Sequence, residues 1–112
     1  MKRGTTPTLP IEIEADISNL KLIEFVFKRE PCPDLPAIVE KRYDSSNWII
    51  QDGATPESFT IEVRFTAEET MKFPSGIVYM DTRLVLLNDD ISATTIAPID
   101  VANTLFSEVY RE

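Results

Sequence analysis

Few side chains in this sequence of 112 residues could carry out chemistry, and the missing ones are informative. There is no histidine and only one cysteine. Ser-His-Asp catalysis, Cys-His catalysis and every metal site that needs histidine are therefore excluded. Cys32 stands between Pro31 and Pro33, in a loop that offers neither a helix N-terminus nor a neighbouring base to activate a thiolate. We expect an ordinary thiol without an intramolecular disulfide partner.

Carboxylates are the remaining candidates for acid-base chemistry. Glu12 and Glu14 share one face of a predicted strand, about 7 Å apart by the rise of a strand, but no apolar surroundings are predicted there to favour a protonated acid. The run Asn88, Asp89 and Asp90 predicts a hairpin turn, because calcium needs six or more oxygens and the spacing of a calcium loop is missing. We predict a protein that is not an enzyme and holds no metal or cofactor.

Aromatic residues suggest one binding function. Trp48, together with Tyr43 and Tyr79, could form a platform on which sugar rings stack, as in many β-sandwich modules. A single tryptophan beside Ile49 and Ile50 is more typical of the edge of a core. A small carbohydrate-binding module that uses Trp48 and Tyr43 is therefore the alternative function.

The charge and the N-terminal sequence exclude other classes of partner. The formal net charge is −8, from 19 acidic and 11 basic residues, which repels a phosphate backbone, so we expect no nucleic acid. The first residues, MKRGTTPTLP, lack the apolar run of a signal peptide, and no stretch of 18 apolar residues occurs. We expect no membrane association, and synthesis in the cytosol without an export signal.

The clearest structural pattern lies between Ser58 and Leu87. Residues 59–65 alternate between apolar and polar, as a strand with one buried face does. Thr66 and Glu69 have the spacing of a capping box, which predicts a helical corner over residues 67–72. Proline and glycine then end the turn, and Ile77–Leu87 is predicted to be a long return strand.

Several shorter segments also have strand character. Pro10 predicts that the first of them lies at a sheet edge, at least where it begins. The segments are Leu9–Ala15, Lys21–Arg29, Ala37–Tyr43, Trp48–Ile50 and Ser92–Val101, the last interrupted by Pro98. About seven strands predict an all-β fold, a single antiparallel β-sandwich of immunoglobulin-like type. A small closed barrel is the alternative.

The sandwich is predicted over residues 9–101, between an N-terminal arm (residues 1–8), flexible or clamped, and a C-terminal tail (residues 102–112). Apolar residues recur in the tail at the spacing of a short helix. The strand Lys21–Arg29 places two apolar side chains on its outer face, where a neighbouring loop, the N-terminal arm or a protein partner could cover them. We predict contacts with other copies or another protein through three groups: Arg3, Thr5, Thr6 and Pro7; Leu22 and Val26; and Leu105, Phe106 and Tyr110.

The start MKRGTTPT and the corner FTAEETMKF, followed by Gly76, resemble a family of small proteins. Phages and prophages, chiefly of Gram-positive gut bacteria, encode this family among their virion structural genes. Its members begin like MRRGTTPT and have a corner like LTQEDTLKF. The matching positions are Arg3, Gly4, Thr5, Thr6, Pro7, Thr8, Thr66, Glu68, Glu69, Thr70, Lys72, Phe73 and Gly76, with Glu69 standing where the family corner has the other acidic residue, aspartate.

This sequence departs from the family at two places. Asp81, Thr82 and Arg83 stand where the family often has Gln-x-Arg, and Pro31–Pro33 has no counterpart. The chain is also similar, more loosely, to the N-terminal sandwich of phage baseplate upper proteins. The resemblance implies a non-enzymatic structural module of the tail or baseplate that acts through protein contacts and enters the virion when phage is produced.

Overall fold

The computed structural model describes residues 1–94 and 96–105, and this part of the chain is mainly strand with one short helix. The strands are β1 (Thr8–Ile13), β2 (Leu20–Lys28), β3 (Val39–Tyr43), β4 (Phe59–Arg64), β5 (Gly76–Leu86), β6 (Ile91–Ala93) and β7 (Ala97–Val101). The helix α1 spans Ala67–Lys72. Two antiparallel sheets result, which confirms the all-β, sandwich-like fold.

The larger sheet is built around β5. This strand of 11 residues pairs with β2 along one side. On its other side β7 pairs with Gly76–Met80 and β6 pairs with Arg83–Val85, so the two short strands lie end to end. The edge strand β3 pairs with β2 and completes the sheet.

The smaller sheet consists of β1 and β4. Residues 49–51 extend it, because the Gln51 amide donates to the Thr60 carbonyl at 2.9 Å and the Glu62 amide donates to the Ile49 carbonyl at 2.9 Å. Only Ile50 of the predicted strand Trp48–Ile50 forms a bridge, to Ile61. β1 pairs with β4 alone, so Pro10 lies in an edge strand, as predicted.

The core is formed by the inward side of each strand and by the corner at α1. Phe27, Phe65 and Phe73 form an aromatic cluster with ring centroids 5.1 to 5.9 Å apart, each pair edge to face. Burying each such ring contributes about 1.5–3 kcal/mol to stability. The buried apolar residues are Ile13, Leu20, Ile23, Phe25, Phe27, Val39, Phe59, Ile61, Val63, Phe65, Phe73, Val78, Met80, Leu84 and Val101.

The helical corner has the predicted bounds and the predicted capping box. The Thr66 hydroxyl accepts from the Glu69 amide at 3.1 Å, and the Thr66 amide donates to Glu69 Oε1 at 2.8 Å. Lys41 Nζ of β3 contacts the same Glu69 oxygen at 2.6 Å and lies 5.2 Å from the centroid of the Phe65 ring. The cap therefore also ties α1 to the larger sheet.

Two strand predictions were wrong in detail. β1 begins at Thr8, inside the predicted arm, and ends at Ile13, because a 3-10 turn over Ile17–Asn19 follows, capped by the Asp16 carboxylate. The strand predicted over 92–101 is two strands, separated between Ala93 and Ala97. Pro98 lies inside β7, since a strand at the sheet edge needs no amide donor on its free side.

The predicted helix in the tail lies largely outside the described residues. Phe106 and Tyr110 belong to that excluded part, whereas Leu105 is described and fully exposed. Ala102, the first residue of the predicted tail, forms a parallel bridge with Lys2.

Candidate interaction surface

The side of the larger sheet that faces away from the core is called the outer face here. Its residues alternate with the buried residues of β2, β3 and β5. The strand register aligns these side chains in rows that cross the sheet, because directly opposed residues of neighbouring strands lie side by side. Successive rows are two residues apart along each strand, or about 7 Å.

Two rows at the centre of the outer face carry charge. The basic row contains Arg42, Glu24 and Arg83, which the register places directly opposite one another. The acidic row contains Glu40, Val26 and Asp81, aligned in the same way. Both arginines and Glu40 are exposed, and Val26 lies partly exposed between two carboxylates.

Apolar side chains lie above and below the charged rows. The first apolar row contains Leu22, Val85 and Ile91, and it adjoins the basic row. The second apolar row contains Tyr79 and Pro98 beside the aliphatic stem of Lys28, and it adjoins the acidic row. Ile91 is 67% exposed. An apolar residue this exposed, in line with others, is typical of a contact surface.

The charges of the two central rows are only partly neutralised within the chain. Arg83 pairs with Glu24 at 2.8 Å, whereas Glu40, Arg42 and Asp81 form no ion pair within residues 1–94 and 96–105. The Asp81 carboxylate accepts a hydrogen bond from the Thr82 amide at 2.9 Å. Three unpaired charges therefore remain for a partner.

Two grooves on the outer face meet at Val26 and Asp81. The first, of about 560 Å³, lies over the charged rows between β3 and β5. The second, of about 340 Å³, is bounded by Tyr79, Ile96 and the loop Pro31–Pro33. Because valine is short, the long charged side chains beside Val26 form the walls of the first groove. The outer face can thus accept side chains of a partner.

The N-terminal arm is held against α1 and β7. The Arg3 guanidinium donates from Nη2 to the Met71 carbonyl at 3.0 Å and from Nη1 to Asn103 Oδ1 at 2.8 Å. The buried Thr70 hydroxyl donates to the Thr5 carbonyl at 2.8 Å. Gly4 adopts a φ of +77°, and a Cβ there would lie 3.3 Å from Met71 Sδ.

Backbone hydrogen bonds extend this clamp in both directions. The Arg3 amide donates to the Ala102 carbonyl at 2.9 Å, and the Phe65 amide donates to the Pro7 carbonyl at 3.1 Å. Thr6 is exposed and Pro7 partly buried. Arg3, Thr5 and Pro7 therefore have contacts inside the chain. The role of all four predicted arm residues toward a partner stays a prediction.

Leu22 and Val26, also predicted contact residues, both lie on the outer face and are partly exposed. The sequence indicated these two because they are apolar at outward positions. It did not indicate the charged rows, since these exist only through the pairing of β2 with β3 and β5. The signal available in the sequence was the acidic residue two positions before an arginine in both β3 and β5.

Trp48 and Tyr43 are built into the edge of the core. Trp48 is partly buried and packs against the core cluster. The Tyr43 ring contacts Phe25 edge to face at 6.0 Å. Burial raises the pKa of Tyr43 above its ordinary value. Carbohydrate binding by this pair stays a prediction.

The predicted acid-base and metal candidates occupy ordinary structural positions. Glu12 and Glu14 are exposed. Asn88, Asp89 and Asp90 form the turn between β5 and β6, in which the Asp90 amide donates to Asn88 Oδ1 at 3.0 Å. In the part of the chain that the structure describes, no three metal-ligating side chains are grouped to hold an ion.

Comparisons with known proteins leave the family open. A scan of protein-family models, a search of curated proteins and a search of solved structures each return no match to this chain. The described residues contain no helix with the length and apolar character needed to cross a membrane.

Proposed function

We propose that this chain is a non-enzymatic structural or assembly protein of a phage or prophage, associated with the tail or baseplate, that acts by protein contacts through its outer face. It is made in the bacterial cytoplasm and enters the virion when phage is produced. The phage assignment rests on the resemblance of the start and of the helical corner to the phage family described above.

The observation that carries the contact function is the outer face itself. Two charged rows lie between two apolar rows there, and Glu40, Arg42 and Asp81 form no ion pair at contact distance with any of the described residues. Binding surfaces combine apolar anchors with charges that select and orient the partner. Packing of the core does not require this pattern, because these side chains point away from the core.

The test uses particles from the strain that carries the gene. After induction, particles are purified on a density gradient, and mass spectrometry determines whether the chain is present. A Val26→Arg variant, which fills the groove with an added charge, is expected to lose incorporation. Ile49→Arg is the matched control, because Ile49 is an exposed apolar residue beside the other sheet.

Absence of the wild-type chain from particles would refute the virion function. Equal incorporation of both folded variants would refute the use of the outer face.

A further inference from the structure

We propose that two copies of the chain pack outer face to outer face, about a two-fold axis that crosses the strands between the basic row and the acidic row. This inference rests on the proposed contact function of the outer face and names the partner as a second copy.

Such an axis lies in the plane of the interface and is perpendicular to the strands. Each strand of the second copy therefore runs antiparallel to the same strand of the first copy. The basic row of one copy then faces the acidic row of the other, and the first apolar row faces the second. All four rows become complementary in one operation. The interface is isologous, since the same patch serves on both sides.

The same axis keeps each strand above its counterpart. On β3, Arg42 faces Glu40 of the second copy, and on β5, Arg83 faces Asp81 of the second copy. Each of these pairs occurs twice by symmetry, so the charges left unpaired in one chain all gain partners. The groove of about 560 Å³ gives the arginine side chains of the second copy room to enter.

The orientation of the axis is specified by charge. A two-fold axis along the strands would place one acidic row over the other, with Glu40 facing Asp81 of the second copy. Like charges brought together in this way are unfavourable, which selects against that arrangement. Only the axis across the strands makes both charged rows attractive.

The apolar rows supply the remaining contact. Leu22, Val85 and Ile91 of one copy cover Tyr79 and Pro98 of the other, with the stem of Lys28 beside them. Packed sheets lie about 10 Å apart with strands within about 30° of alignment, a separation that side chains of these lengths fill. Burial at both ends of the interface excludes water around the central ion pairs.

The experiment reverses one charged row at a time. Glu40→Arg with Asp81→Arg makes both rows basic, and Arg42→Glu with Arg83→Glu makes both rows acidic. Light scattering after size-exclusion chromatography is expected to give a dimer for wild type and a monomer for each double variant. The dimer dissociation constant is expected to rise at least about tenfold for either variant.

Mixing the two double variants in equal amounts is expected to restore a dimer, seen by native mass spectrometry as the heterodimer, because one contributes only basic rows and the other only acidic rows. Glu12→Arg with Glu14→Arg adds the same charge as the all-basic variant at exposed positions away from the outer face, and it is expected to remain dimeric. Circular dichroism establishes that every variant is folded.

A wild-type monomer at every soluble concentration would overturn the two-fold inference, and so would dimers that persist in both double variants. Folded double variants that fail to form the heterodimer would overturn it as well. The proposed function is tested separately: incorporation of the wild-type chain into particles that requires Val26 would support it without a dimer. If mixing the double variants restores a dimer but the wild-type chain is absent from particles, the two-fold interface is supported and the virion function is refuted.

Discussion

The Arg3 side chain donates to the Met71 carbonyl at 3.0 Å, and so joins the start of the chain to the last turn of α1. A cation at the C-terminal end of a helix also interacts favourably with its exposed carbonyls. The segment Arg3–Thr5 is therefore part of the folded unit, and its residue types have structural reasons.

Replacing Arg3 with alanine is expected to lower the free energy of unfolding by about 1–3 kcal/mol, because both of its side-chain hydrogen bonds are charge-assisted. Urea unfolding followed by circular dichroism measures this change. Lys2→Ala is the control, since the Lys2 side chain is exposed and the hydrogen bond from the Thr5 hydroxyl goes to the Lys2 backbone carbonyl. An equal effect of the two substitutions would contradict the clamp.

Gly4→Ala is expected to cost about 1–2 kcal/mol, because alanine disfavours a positive φ. Contact of the new Cβ with Met71 adds to this cost. Gly53→Ala provides the comparison, since Gly53 also has a positive φ but no heavy atom lies within 4 Å of the position that its new methyl group would take. Thermal unfolding of both variants separates the backbone strain from the contact, and Gly4→Ala should be the more destabilised.

Stability is expected to depend on the ionisation of Glu69. Partial burial raises the pKa of this carboxyl, but hydrogen bonds from Lys41 and Thr66 outweigh burial and bring the pKa below its ordinary value. The unfolded chain then binds the proton more readily, so the stabilisation is present above the unfolded pKa of about 4.3 and is lost as the pH falls through the lower folded value.

Glu69→Gln should remove this part of the pH dependence and cost about 1 kcal/mol at neutral pH, a modest value because the ion pair is partly solvated. Urea midpoints measured from neutral to acidic pH test the change in slope. Glu12→Gln, at an exposed position, is the control. The same slope in wild type and Glu69→Gln would show that the capping carboxylate does not contribute.

Phe73→Leu is expected to destabilise the fold by about 1–3 kcal/mol, because Phe73 is fully buried and contacts both Phe27 and Phe65. The smaller side chain leaves a cavity where helix and sheets meet. Chemical denaturation measures the loss. Ile49→Leu, at an exposed position away from the outer face, should change stability by less than about 0.5 kcal/mol. A loss for Phe73→Leu as small as that for Ile49→Leu would place the corner outside the cooperative core.

Local pattern was sufficient for some elements and insufficient for others. β4, α1 and β5 could be predicted because the alternation of apolar and polar residues and the spacing of the capping box each involve only a few consecutive residues. The division between β6 and β7 was missed, since it depends on which part of β5 each strand pairs with. A clamped arm was one of the two alternatives predicted, but its partners could not be predicted, because Arg3 and Asn103 lie 100 positions apart.

The outer face illustrates the same limit. Leu22 and Val26 could be assigned to an outward, half-apolar face from one strand alone. The charged rows needed the register of three strands, and no local signal placed Glu40 and Asp81 on either side of Val26. Topology therefore determines the candidate site, although each residue in it is visible in the sequence.

Pro98 bears on how far an assembly of this chain can grow. β7 lies at a sheet edge and carries a proline, which cannot donate to an added strand, and the opposite edge strand β3 carries three charged residues in a row, Glu40, Lys41 and Arg42. Both devices oppose sideways addition of strands, the process by which sheets propagate into fibres. When two copies pack outer face to outer face, the outer face of each is buried, so no third copy can bind there. If the chain pairs through its outer face as proposed, it is suited to form discrete units of fixed size rather than open-ended polymers.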